Sequence, residues 1–158
     1  EPVFLWGKAS KKRQLLFNTI LNSLQAMASG GTLTIECKQE QDKIRLIIED
    51  TGAGIAESDL ERIFDPFYTT KEVGQGTGLG LSEVYTIIEE HEASVDVLSK
   101  VGEGSRFVFV FNTPNGPWPQ RRNQELIVSP LLILKLCLRA TPGLMSIFML
   151  GSKFSQML

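Results

Sequence analysis

The stretch GTLTIECKQEQDKIRLIIEDTGAGI, Gly31 to Ile55, governs how the rest of the chain must be arranged. Leu33, Ile35 and Cys37 alternate with polar residues, a polar turn spans Gln39 to Asp42, and Ile44, Leu46 and Ile48 alternate again. Period-two patterning on both sides of a turn predicts a β-hairpin with one buried face. The second strand runs apolar to Glu49 and ends in Asp50, with glycines at 52 and 54. That face needs a covering layer, and the sequence on either side offers helices.

Before the hairpin, Leu16, Ile20 and Leu24 recur four apart with Leu21 and Met27 beside them, one apolar face of a helix from Lys11 to Met27 that Gly30 and Gly31 stop. After it, Ser58 and Glu61 have capping-box spacing, so a short helix is expected to begin at Ser58 and to turn Leu60 and Ile63 inward. Residues 65 to 78, with Pro66 and a cluster of glycines and threonines, read as a long mobile loop. Helical spacing resumes from Leu79 to His91 through Val84, Ile87 and Ile88. Val95 and Val97 open another strand, Gly102 and Gly104 turn it, and Phe107, Phe109 and Phe111 line one face of the next. The expected fold class is an α/β (α+β) two-layer sandwich: a mixed, mostly antiparallel sheet with helices on one face.

Composition limits the function classes. The 158 residues are 42% apolar and 22% charged with mean hydropathy +0.01, which excludes a disordered or fibrous chain. A net charge of −2 argues against a nucleic-acid binder that works by bulk charge. That average conceals a division. Residues 1 to 114 carry 11 Lys/Arg against 17 Asp/Glu, a balance of −6, and the remaining residues carry 5 against 1, a balance of +4. Three segments are therefore expected: a truncated lead-in over 1–10, a domain over 11–114 and an unassigned basic, apolar tail over 115–158. Pro130, Lys135, Arg139 and Pro142 interrupt the apolar part of that tail, so a membrane-spanning helix is not expected there. Cys37 and Cys137 match no metal spacing and read as reduced thiols, and no export signal opens the sequence.

Four clusters carry chemistry. Asn18 and Asn22 lie four apart on one helix face, either a solvated stripe or carboxamide oxygens, hard neutral ligands suited to magnesium. Asp50 with Gly52 and Gly54 is either a tight turn or a base-reading site. In the second case the carboxylate accepts from the exocyclic amine of adenine, whereas guanine's carbonyl would oppose it acceptor to acceptor. The third cluster is IFDPFYTTK, Ile63 to Lys71, and the fourth is GQGTGLGL, Gly74 to Leu81. The last lacks the Walker A ending but opens a helix, where free N–H groups and the dipole suit phosphate, and its glycines suit a lid.

In this order the four clusters resemble the ATP-binding catalytic domain of sensor histidine kinases, within the superfamily that also holds gyrase, heat-shock chaperone and MutL ATPases. The resemblance covers Lys11 to Pro114, and FDPFYTTK followed by GTGLGLS is its most specific part. It implies ATP and Mg2+ as cofactors, with the nucleotide between the helices and beneath a mobile lid. Asn22 matches the magnesium-binding asparagine and Asn18 lines the same pocket; Asp50 matches the adenine-reading aspartate, beside Gly52, Gly54 and Ile55. Phe64 and Phe67 match the phenylalanine box, Gly76, Thr77, Gly78, Leu79 and Gly80 the lid, and Lys71 falls where a cation meets the phosphates. Ser105 matches a small hydroxyl near the aspartate, and Asn22 and Lys71 are the expected catalytic pair.

The ATPases of the superfamily carry a glutamate four residues before the magnesium asparagine, where this chain has Asn18, which cannot take a proton. The resemblance therefore implies a protein histidine kinase of a two-component system, with a phosphoacceptor-histidine helical domain and a response regulator as partners and no nucleic acid. A non-catalytic nucleotide-binding module and a MutL-like or gyrase-like ATPase are the alternatives. A cytoplasmic location is implied, with membrane attachment and dimerisation expected only through parts of a full-length kinase outside this chain. Three departures stand out. Lys8 replaces a usual aspartate before the first helix, the strand that should precede it is largely missing, and Glu92 and Ala93 replace two glycines after His91. His91 itself is expected to be structural.

Overall fold

The structure, a computed structural model, describes residues 8–71 and 76–113, together with the backbone pairing of strands Val3–Trp6, Glu125–Val128, Ile133–Thr141 and Leu144–Leu150. The hairpin forms as the alternation requires: β2 (Gly31–Glu40) pairs antiparallel with β3 (Lys43–Asp50), Leu33 opposite Asp50 and Cys37 opposite Leu46. β5 (Gly104–Asn112) lies on the other side of β3, and β4 (Ser94–Lys100) borders β5. The inward rows are Leu33, Ile35 and Cys37, then Ile44, Leu46 and Ile48, then Phe107, Phe109 and Phe111, all buried. Burying each of these larger side chains contributes about 1.5–3 kcal/mol relative to exposure.

α1 (Ala9–Ala26) and α3 (Gly80–Glu90) cover that face, and α2 (Glu57–Leu60) is a single turn beside it. From α3, Val84, Ile87 and Ile88 enter the core as predicted. On α1 the buried line differs from the expected one. It runs through Lys12, Leu15, Thr19, Ser23 and Met27, while Leu16, Ile20 and Leu24 are partly buried at its flank and Leu21 is exposed. Small hydroxyl residues on the inward line let the helix approach the sheet, and the Thr19 hydroxyl donates to the Leu15 carbonyl at 2.8 Å. Apolar period alone could not place the axis of the face.

The two-layer sandwich is as expected, and the pairs among the described strands are all antiparallel. Other expectations need correcting. α2 begins at Glu57 without a side-chain cap, because Ala56 holds the N-cap position and Ser58 falls inside the helix, its hydroxyl donating to Asp59 Oδ1 at 3.3 Å. Val3–Trp6 is a strand, β1, paired with β6 (Glu125–Val128), where the sequence reading expected little more than a lead-in. Within the expected tail, β7 (Ile133–Thr141) pairs with β2 and β8 (Leu144–Leu150) with β7, so the sheet order is β4-β5-β3-β2-β7-β8. Among the described residues no helix is long and apolar enough to cross a membrane.

The departures at Lys8 and Glu92 have plain local consequences. Lys8 is the N-cap of α1 and supplies no side-chain cap, and no acidic residue occupies the first turn. At the end of α3, Glu92 N–H donates to Glu89 O and Ala93 N–H to Ile88 O, and Glu92 has φ +47. This is a Schellman closure in the left-handed conformation that glycine would adopt without cost. His91 reinforces it, its Nδ1–H donating to Ile87 O at 2.7 Å, in keeping with a structural role.

Candidate nucleotide site

One flank of α1 is polar along its whole length, and it is the flank that meets α3 and the loop before it. Lys11 pairs with Glu90 at 3.4 Å, Gln14 and Asn18 each donate to Glu83 Oε2 at 3.0 and 2.9 Å, and Asn18 also donates to Gly80 O at 3.1 Å. One and two turns further on, Asn22 Oδ1 and Gln25 Oε1 both accept from the Lys71 ammonium, the first at 3.2 Å. Spacings of three and four align these side chains on one face. Asn18 and Asn22 are therefore part of a fixed polar seam, not a solvated stripe.

The loop after β3 docks between α1 and the β4–β5 turn. Asp50 is 3% exposed and accepts from Gly52 N–H at 2.9 Å, and Ala53 N–H donates to Ala26 O at the end of α1. Gly52 has no room for a side chain, since a Cβ would lie 2.7 Å from Ala26 O. Gly54, at φ +71, would place a Cβ 2.1 Å from Lys100 O. Behind Asp50 the ladder pairs it with Ser105. The Ser105 hydroxyl donates to Ser99 Oγ at 3.0 Å, and Ser99 in turn donates to Gly104 O and accepts from Ile55 N–H, both at 2.8 Å. Ser99 thus ties together three expected site residues or their neighbours. Its signal was a hydroxyl continuing the inward row of Val95 and Val97.

The phenylalanine-box segment and the lid close on each other. Phe67 N–H donates to Gly78 O at 2.9 Å, and a Cβ at Gly78 would lie 2.3 Å from the Phe67 carbonyl carbon. Phe64 packs on Tyr85 with ring centroids 5.4 Å apart, whereas Phe67 is 75% exposed. Thr77 Oγ1 accepts from Leu79 N–H at 3.3 Å, and at Gly80, which opens α3, a Cβ would meet Asn22 Nδ2 at 3.7 Å and Asn18 at 4.0 Å. Burial lowers the Lys71 pKa, because partial removal from water disfavours the charged ammonium. Gln25 was missed by the sequence reading, although its place three residues after Asn22 was a visible signal. Gly74, Pro114 and the side chain of Cys137 lie outside the described residues.

A two-layer sandwich with an asparagine-bearing helix, an Asp-Gly loop at a strand end and a glycine lid opening a second helix defines a class of ATP-binding domain. The chain belongs to the family described as Histidine kinase-, DNA gyrase B-, and HSP90-like ATPase, whose sequence model matches residues 7–115. Within that family its likeness is to sensor histidine kinases. It is 39% identical over 94 residues to sensor histidine kinase ZraS of Escherichia coli O157:H7, covering 60% of this chain and 20% of that protein. It is 35% identical over 122 residues to sporulation kinase E of Bacillus subtilis (strain 168), covering 77% of this chain and 16% of that protein. The chain thus spans a fifth or less of the length of these relatives. Among solved structures, the catalytic domain of histidine kinase ThkA in a nucleotide-free form matches with TM-score 0.58 and 33% identity, over 66% of this chain and 67% of that one. Full-length ShkA in complex with AMPPNP matches with TM-score 0.57 and 31% identity, over 68% of this chain and 23% of that one.

Proposed function

We propose that this chain binds Mg-ATP between α1, α3 and the Asp50 loop and donates the γ-phosphoryl group to a histidine on a separate helical domain, in two-component signalling. The observation that carries the reading is the two-oxygen seat of Asn22 and Gln25, which already holds a cation beside the first residue of α3. A hard carboxamide oxygen facing a cation fits magnesium, and Asn22 is the residue that would hold it. A magnesium ion held by Asn22 would supply positive charge to offset that of the phosphates.

The chain's own residues would do the rest. Asp50 accepts from the adenine amine, Gly52 and Gly54 admit the ring, and Ser105 and Ile55 support the loop from behind. Asn18, fixed by Gly80 and Glu83, lines the wall. The N–H groups of Gly76, Thr77, Gly78 and Gly80 would face the phosphates at the positive end of α3, and Lys71 would add a cation there. Phe64 and Phe67 brace the lid segment. The neutral imidazole of the acceptor attacks the γ-phosphorus, an N–P bond forms, the bond to the bridging oxygen breaks, and ADP leaves with the electron pair. Positioning suffices for such a nucleophile, in keeping with Asn18 where an ATPase has a carboxylate. A response regulator would take the group onward, and the reading assigns the domain to the cytoplasm, where ATP is.

The test mixes the chain with γ-labelled ATP, magnesium and a histidine-bearing phosphoacceptor helical fragment. Acid-labile, base-stable phosphohistidine is the expected product, and Asp50→Asn is expected to weaken ATP binding by about tenfold or more. Multiple-turnover phosphate release without an acceptor would overturn the kinase reading in favour of an ATPase. Tight ATP binding with no transfer would leave a regulatory nucleotide-binding module.

A further inference from the structure

Gln25 touches neither metal nor nucleotide in the reading above, yet it shares the Lys71 ammonium with Asn22. The two carboxamides lie three residues apart on the polar flank of α1, and their oxygens converge on one nitrogen. Lys71 is fixed from the other side as well: its N–H donates to Thr69 Oγ1 at 3.2 Å, and a Cβ at Gly76 would lie 3.1 Å from Lys71 Cδ, so lysine stem and lid glycine are packed together. Neutral carboxamide oxygens hold an ammonium less firmly than a carboxylate does, which makes the contact exchangeable. Asn22 Oδ1 cannot serve the ammonium and a divalent ion together, because magnesium demands its ligands at about 2.0–2.1 Å and two cations on one oxygen repel.

We propose that Gln25 is a positioning residue that, with Asn22, stows the Lys71 ammonium in the nucleotide-free protein and releases it toward the phosphates when Asn22 turns to the metal. The proposal rests on the reading of Asn22 as the metal ligand. Its consequence is a built-in competition: part of the affinity for Mg-nucleotide is spent in lifting Lys71 from its seat. Removing the Gln25 oxygen weakens the seat and leaves Lys71 freer to meet phosphate.

The experiment has two readouts on the full chain. In the absence of nucleotide, the Asn22 side-chain amide resonances should shift in both Lys71→Met and Gln25→Leu. In calorimetric titration with AMP-PNP and magnesium, Gln25→Leu should bind about threefold more tightly than the parent, the scale of an exposed polar contact to a charge. In a Lys71→Met background Gln25→Leu should change nothing. Asn22 resonances that ignore Lys71→Met overturn the stowed contact whatever the nucleotide does. A Gln25→Leu effect that persists without Lys71, or a loss of affinity, overturns the positioning role. Shifted resonances in a chain that binds no Mg-AMP-PNP overturn the nucleotide reading and the exchange with it, while the seat itself stands.

Discussion

Cys37 sits in the inward row of β2 at 1% exposure, opposite Leu46, and burial pushes its thiol up to about 11 from an ordinary 9.0. The folded chain therefore keeps the proton over a range in which the unfolded chain loses it. Stability should be level below pH 9 as far as this group is concerned, fall as pH rises from 9 to 11, and level again above. Two units correspond to about 2–3 kcal/mol. Urea unfolding at pH 8, 9, 10 and 11 checks this: Cys37→Ala should lower stability at every pH by a packing cost and remove that part of the slope. A slope unchanged in the variant would show that Cys37 is not its source. The same burial makes the thiol a poor nucleophile, in agreement with the reading of a reduced, packed residue. Asp50 is likewise buried, its carboxylate accepting from Gly52 N–H. The identity of these residues was legible in the sequence because alternation fixes which side of a strand is inward. Ser99 and Gln25 stand at positions that periodicity marks, but a polar side chain there is not singled out until its partners are known.

At the level of elements, boundaries followed patterning wherever the period was strong. The hairpin, α3, β4 and β5 were readable from Leu33 to Phe111, since each buries a regular row. α1 was readable as a helix but misread as a face. Its inward line includes Lys12, Thr19 and Ser23, whose residue types point outward on any hydrophobicity scale. Its apolar residues Leu16, Ile20 and Leu24 instead fill one flank, opposite the polar seam that Gln14, Asn18, Asn22 and Gln25 form with α3 and Lys71. The capping box at Ser58 failed for a different reason: the spacing was right, but the helix begins at Glu57 with Ala56 as its N-cap, which puts Ser58 inside it. The turn after α3 keeps its left-handed residue although the side chain there is glutamate, at φ +47. A non-glycine residue in that conformation costs about 1–2 kcal/mol. Glu92→Gly should therefore stabilise the chain, by about 1 kcal/mol after the entropy that glycine adds to the unfolded state. The check is the shift of the thermal midpoint; a fall in stability would mean that Glu92 makes a compensating contact.

For the whole molecule the question is whether the domain expected over residues 11–114, from the motifs and the charge division near Pro114, is a self-sufficient nucleotide-binding unit. Every candidate site residue lies between Asn18 and Ser105, and Thr113 N–H closes β5 onto Asp42 O at 2.7 Å, the last described contact before the division. Against this, β7 pairs with β2 along Gly31 to Glu36, and β6 pairs with β1, so the segment after 114 contributes strands to both sheets. The two facts predict different things for a chain ended after Thr113. The core rows of β2, β3 and β5 and the helices over them remain, so affinity for AMP-PNP with magnesium should stay within about twofold of the parent, a difference of about 0.4 kcal/mol. The outer edge of β2 loses its partner, and an unpaired edge templates association with another chain. The shortened chain should therefore bind nucleotide normally while self-associating in a concentration-dependent way, measurable by sedimentation velocity, and a charge placed at Thr34 on that edge should suppress the association without touching the site. Loss of nucleotide binding in the monomeric fraction would place the domain boundary beyond residue 114, because the strands that follow would then be needed to hold β2, and through β3 the Asp50 loop, in position.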